Sequence, residues 1–200
     1  MGNIDNKMSL KLTENFYTWM RTVLLGSNTT ITASTTGTSG WASGGKYLGY
    51  MKNILGNKQT SFPGSSAYLG KNATLNYWQS GTWWGTYFCI GNDNTSATEN
   101  DYKLSGDYVF GTDYTIDHKV ATDYPHMGND KAVLLFNVTF NAKTDITIGE
   151  IGMIKQMSAS SGRSDDDLFL FGRATIGETE EDKIKLTEGQ SATFQISIEI

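Results

Sequence analysis

The sequence predicts a mainly β protein, an antiparallel, jelly-roll-like β-sandwich with one short N-terminal α-helix. Three observations carry this. Residues 192–200 alternate perfectly: Ala192, Phe194, Ile196, Ile198 and Ile200 fall on one face and Thr193, Gln195, Ser197 and Glu199 on the other, the pattern of a strand with one packed and one wet side. Gly, Ser, Thr and Asn crowd the segments between short apolar runs, as expected where short strands meet tight turns. The strand-like runs recur at hairpin spacing, and the long helical crossovers that a parallel α/β sheet requires are missing.

Taken in order, the chain divides into an arm and helix over residues 1–28 and a single β domain over residues 29–200. Thr13 is placed to cap a helix, Glu14 suits its first turn, and Phe16, Trp19, Met20, Val23 and Leu24 share one face. Leu12 and Tyr17 are spaced for a hydrophobic staple, and Gly26 for a stop. A Thr/Ser/Gly-rich stretch follows, with a strand expected at Thr30–Ala33 and a loop to Gly45. Tyr47–Leu55 fits a strand or a short helix, because a run this short has no decisive period. Phe62-Pro63-Gly64 is turn chemistry, and a hairpin is expected around Ser80-Gly81.

A strand is expected at Thr86–Ile90, ending in the polar loop Gly91-Asn92-Asp93-Asn94, and two more around Tyr108–Phe110 and Tyr114–Ile116. Leu134, Phe136, Val138 and Phe140 mark the inner face of the next strand, and Asn141–Asp145 its turn. The alternation then predicts one strand over Ile146–Ile154, a polar loop over Met157–Asp167, a strand over Leu168–Ile176, a turn over Gly177–Asp182, a strand over Ile184–Leu186 and a Glu188-Gly189 turn into the last strand.

With 200 residues there is chain enough for a substantial core. The net charge of −5, without a basic stripe, argues against nucleic acid as a partner. No apolar stretch is long enough to cross a bilayer, and the N-terminus lacks the basic and apolar regions of a secretory signal. Cys89 is the only cysteine, so no intrachain disulfide is expected, and its neighbours Phe88 and Ile90 place it in a buried strand. Folding in a reducing cytoplasm fits these features.

Candidate chemical motifs are incomplete. Gly40–Tyr47 and the stretch from Gly64 to Lys71 approach a phosphate-binding loop, but the first has Tyr47 where a hydroxyl must hold magnesium and the second has the wrong spacing. Asp165-Asp166-Asp167 lacks the alternation, central Gly and distal Glu of a calcium loop and reads as a solvated charge run. His118 and His126 have no partners at metal-ligand spacing, and no Gly-x-Ser-x-Gly elbow is present. The expectation is therefore no enzyme, no catalytic residues, no metal and no cofactor. Asn28, Asn72, Asn94 and Asn137 head glycosylation sequons that carry little meaning without a secretion signal. The strongest binding feature is the aromatic cluster at residues 77–87, from which Trp78, Trp83, Trp84 and Tyr87 are candidates for contact with a glycan or a neighbouring subunit. The plainer reading, coverage by the core or by another subunit, is favoured because large aromatics are mostly covered.

Three stretches resemble a loosely defined group of bacteriophage virion proteins. The first is Tyr87-Phe88-Cys89-Ile90-Gly91 leading through a polar loop to Asn100-Asp101-Tyr102-Lys103-Leu104. The second is Phe136–Phe140 followed by Asp145-Ile146-Thr147-Ile148-Gly149-Glu150-Ile151-Gly152, and the third runs from Leu168–Arg173 through Ile184–Leu186 and Glu188-Gly189-Gln190 to the final strand. They cover roughly the C-terminal 115 residues in the group's order. The chain departs from the group's pattern in Thr187-Glu188-Gly189, where a Pro-Gly turn is common, and in its aromatic-rich middle. The resemblance implies a virion location, partnership with copies of itself and with other virion proteins, and no catalytic residues. A glycan is the alternative partner, and neither nucleic acid nor a membrane is expected.

Overall fold

The final alternating strand sits in the middle of a sheet. A computed structural model describes residues 6–25, 45–62, 86–106, 108, 111–120, 126–128, 131–156 and 168–199. Its described elements are β1 (Asn6–Ser9), β2 (Lys11–Leu12), α1 (Glu14–Leu25), β3 (Gly45–Lys52), β4 (Lys58–Phe62), β5 (Thr86–Gly91), β6 (Tyr114–Val120), β7 (His126–Gly128), β8 (Lys131–Ala142), β9 (Ile146–Ile148), β10 (Glu150–Gln156), β11 (Leu168–Thr175), β12 (Ile184–Leu186) and β13 (Ser191–Glu199). The protein is mainly β, with one short helix and several antiparallel sheets among these residues.

In β13, Ala192, Phe194, Ile196 and Ile198 are buried, as the alternation requires. Antiparallel pairing with β8 sets Phe194 opposite Val138 and Ile196 opposite Phe136, so the inward faces of both strands coincide. The other edge of β13 is taken by β1 in parallel, with Met8 opposite Ile196. That parallel pair is the exception among the described strand pairs, which are otherwise antiparallel. Parallel neighbours cannot be joined by a tight turn, and here nearly the whole chain separates them. The neighbours that hold the last strand therefore belong to the same chain. β6 lies on the far side of β8, with Ile116 opposite Phe140, and β7 pairs with the start of β8.

The second sheet has the order β2, β11, β10, β5. One buried cluster joins it to the first sheet: Phe136, Phe140, Phe194 and Ile196 from one side, Phe88, Ile151, Met153 and Phe169 from the other. The Phe88 and Phe136 rings meet edge to face with centroids 5.4 Å apart. The other face of the second sheet is also covered. Cys89, Ile154, Leu168 and Leu170 form a second cluster, with Ile54 and Leu104 packed against it. Because β11 is buried on both faces, it reads Leu-Phe-Leu-Phe without polar alternation. Cys89 is buried as expected, and its thiol donates to the Gly152 carbonyl at 3.5 Å.

Four local expectations change or are resolved. The run Ile146–Ile154 is two strands rather than one, because the chain leaves β9, paired with β12, and enters β10, paired with β5 and β11. The switch falls at Gly149, where a Cβ would lie 2.8 Å from the Asn92 carbonyl oxygen and 2.7 Å from that of Asp93. The ambiguous stretch from Tyr47 resolves as the end of β3 and the turn into β4, an antiparallel hairpin. Thr13 does precede α1, and its carbonyl accepts the first helical bond from the Tyr17 amide at 3.3 Å, but its hydroxyl donates to the Leu170 carbonyl at 2.6 Å. Tyr17 is 56% exposed, which leaves little apolar area for the expected staple with Leu12. The aromatic face of α1 docks as its spacing requires, with the Phe16 and Trp19 rings 5.8 and 5.4 Å from Phe171. The expected elements at Thr30–Ala33, Pro63-Gly64, Ser80-Gly81 and Val109-Phe110 lie outside the described residues.

Candidate functional site

Charged residues inside apolar strands must be paired, since a carboxylate or guanidinium has a large desolvation penalty. Glu150 opens β10 at 0% exposure and Arg173 lies in β11 at 2%. The strands hold them two residues out of direct register, diagonal neighbours on one face, with Glu150 opposite Thr175 and Arg173 opposite Gly152. The guanidinium reaches Glu150 through Nε–H to Oε2 at 2.5 Å, and through Nη1–H it meets Asp101 Oδ2 at 2.9 Å.

Asp101 belongs to the loop that follows β5, and its carboxylate is held by the Thr98 amide at 2.9 Å and the Thr98 hydroxyl at 2.7 Å. The Gly106 amide donates to Glu150 Oε1 at 2.7 Å. Loop residues 98–106 are thereby strapped over the outer face of the second sheet, with Leu104 inserted beneath them. Earlier in the same loop, Asp93 accepts from the Asn94 amide at 2.8 Å and the Thr95 hydroxyl at 2.7 Å, closing a tight local turn. Gly91 and Gly152 make room for this. A Cβ on Gly91 would run into the Glu150 carboxylate, and one on Gly152 would lie 2.7 Å from Leu104 Cδ2 and 3.0 Å from Cys89 Sγ.

The three ionisable groups respond differently. Burial pushes the Glu150 carboxyl up, against the opposing pull of the Gly106 amide and Arg173, and the net direction is upward. Burial acts on Asp101 in the same sense, but the Thr98 bonds and the Arg173 guanidinium outweigh it and hold Asp101 below its ordinary value. Burial disfavours the Arg173 cation, and the two carboxylates more than compensate, so it is held charged. The guanidinium is nevertheless incompletely used, because buried Nη2 has no hydrogen-bond partner among the described residues. Elsewhere, Lys155 near the end of β10 is pulled down to about 8 by burial.

Beside this cluster, Lys7, Ser9, Lys11, Ser96, Arg173 and Thr175 line a cleft of about 400 Å³. It lies where the N-terminal arm passes from the first sheet to the second, with the loop after β5 forming one wall.

The chain matches no known protein family, no curated protein and no solved structure.

The residues singled out by sequence contribute little to this geometry. Trp78, Trp83 and Trp84 lie outside the described residues, and Tyr87 is described only by its backbone, opposite Ile154 in β5. The Gly-rich stretch from Gly40 to Gly44, the whole of the second from Gly64 to Lys71, and Asp165–Asp167 also fall outside. His118 and His126 are strand residues of β6 and β7, and no group of three metal-ligating side chains occurs among the described residues. Sequence reasoning passed over Glu150 and Arg173, although a visible signal was there: each is a charge embedded in an apolar strand run, which is rarely tolerated without a buried partner.

Proposed function

We propose that this chain is a bacteriophage virion structural protein, a head decoration or fibre element or a component of the neck or tail. It is an antiparallel β-sandwich of jelly-roll type and acts without catalysis, by packing against copies of itself and other virion proteins. One observation supports this reading above the rest. The three stretches that resemble the virion group, distant in sequence, each contribute a member of one buried ion cluster: Asp101 from the first, Glu150 from the second and Arg173 from the third. Their order along the chain thus corresponds to a physical unit that fixes a loop to a sheet. The apolar cluster shared by the two sheets supports the sandwich description.

A buried ion cluster that ties a loop to a sheet suits a protein that must present one rigid shape many times, because it specifies a single loop position more than it adds stability. Size-exclusion chromatography with light scattering, together with mass spectrometry of purified particles from an infected host, tests the proposal. Self-association and presence in the particle at a fixed stoichiometry are expected. A strict monomer missing from purified particles would refute it.

A further inference from the structure

We propose that the cleft between the N-terminal arm and the loop after β5 binds an oxyanion, the carboxylate or phosphate group of a small anionic ligand. The lining carries the argument. Lys7, Ser9 and Lys11 are alternate residues along an extended arm, and all three are exposed. At about 3.3 Å per residue the two lysine Cα atoms are roughly 13 Å apart, so their long side chains can close on one group from opposite sides. Neither lysine has an ion-pair partner among the described residues, although the chain as a whole is acidic.

Two hydroxyl-bearing residues complete the lining, Ser96 from the loop after β5 and Thr175 from β11 beside Arg173. The floor supplies Arg173, 2% exposed, with Nε and Nη1 committed to Glu150 and Asp101 and Nη2 without a partner among the described residues. A buried guanidinium nitrogen left with two free hydrogens is uncommon, since buried donors are nearly always satisfied. That donor is held in position by the other bonds of the guanidinium, so it does not share the flexibility of the lysine side chains. Glu150 and Asp101 outweigh the charge of Arg173, and Asp93 is near enough to act on Glu150, so the positive charge offered to a ligand is that of the two exposed lysines, in a chain of net charge −5. The cleft volume of about 400 Å³ accommodates a ligand the size of citrate or pyrophosphate. This assignment stands independently of any virion role.

The test is a titration of isotopically labelled full-length protein, followed by amide chemical shifts, with inorganic phosphate, pyrophosphate and citrate in separate arms at constant ionic strength. Saturable shifts confined to the amides of Ser9, Ser96, Ala97 and Thr175 are expected, and the arm that saturates at the lowest concentration distinguishes phosphate from carboxylate chemistry. The Lys7→Gln/Lys11→Gln double variant, altered only at exposed side chains, is expected to weaken binding at least about tenfold while leaving the remaining spectrum in place. Ser96→Ala is expected to weaken it about two- to fivefold. Shifts that fail to saturate, that chloride reproduces, or that persist undiminished in the double variant would overturn the assignment.

Discussion

Replacing Arg173 by Met removes the only cation from a cluster in which Glu150 has no access to water. Met fills a similar volume, so the loss is chiefly electrostatic. Asp101, whose side chain is 19% exposed, can turn toward solvent and keep its Thr98 bonds, whereas Glu150 retains only the Gly106 amide. Orphaning a buried charge in this way costs about 3–5 kcal/mol. For a chain of this size, at roughly 2–4 °C per kcal/mol, the melting temperature falls by about 6–20 °C. That is a large part of the roughly 5–15 kcal/mol expected for a whole domain.

The assay is urea unfolding followed by circular dichroism at pH 7 and again at pH 5. The orphaned Glu150 has a folded pKa raised above its unfolded value, so the folded state takes up the proton and stability is regained as pH falls through that raised value toward about 4.3. The Arg173→Met loss should therefore be smaller at pH 5 than at pH 7. Adding Glu150→Gln to Arg173→Met keeps an acceptor for Gly106 and removes the charge, and it should recover about 2 kcal/mol or more. A loss below about 1 kcal/mol in the single variant, or no recovery in the double, would refute the assignment of Arg173 as the counter-ion that holds the loop down.

Gly152→Ala should destabilise by about 1–3 kcal/mol, since the new methyl meets Leu104, Cys89 and Leu170 in a filled cluster, and hydrogen exchange should show the loop over residues 98–106 opening before the sheets do. Thr13→Val removes the hydroxyl donor to the buried Leu170 carbonyl and should lower stability by about 1–2 kcal/mol in chemical denaturation, with helix content unchanged in circular dichroism. Lys155 has a folded pKa near 8, below the ordinary 10.5, so the unfolded chain binds the extra proton between those values and wild-type stability should climb as pH rises through that window. In Lys155→Met the climb should vanish and stability at pH 7 should increase, both read from melting temperatures across pH 7–10.

Local pattern alone was enough to define the strands whose two faces differ. β13 and the inner face of β8 follow from period-two alternation, and α1 from the spacing of Phe16, Trp19 and Met20, because a one-residue slip in these elements would expose the apolar side. Cys89 was legible as buried from its apolar neighbours Phe88 and Ile90, an unbroken run in a strand covered on both faces. Where both faces are covered, as in β11, the alternation disappears, and the sequence shows only an apolar run interrupted by one arginine.

Pairing was decided by the tertiary structure. No local signal tells β1 to lie parallel to β13 across almost the whole chain, or splits Ile146–Ile154 between two sheets at Gly149, where the Asn92 and Asp93 carbonyls leave no room for a side chain. The same holds for the ion cluster. Asp101, Glu150 and Arg173 are 49 and 23 residues apart in sequence, and only the pairing of β10 with β11 and the fold of the loop after β5 bring the three charges together. Sequence determines which side chains cannot face water, but burial is non-directional, and the choice of partner belongs to the backbone hydrogen bonds and charges that the assembled sheets must satisfy.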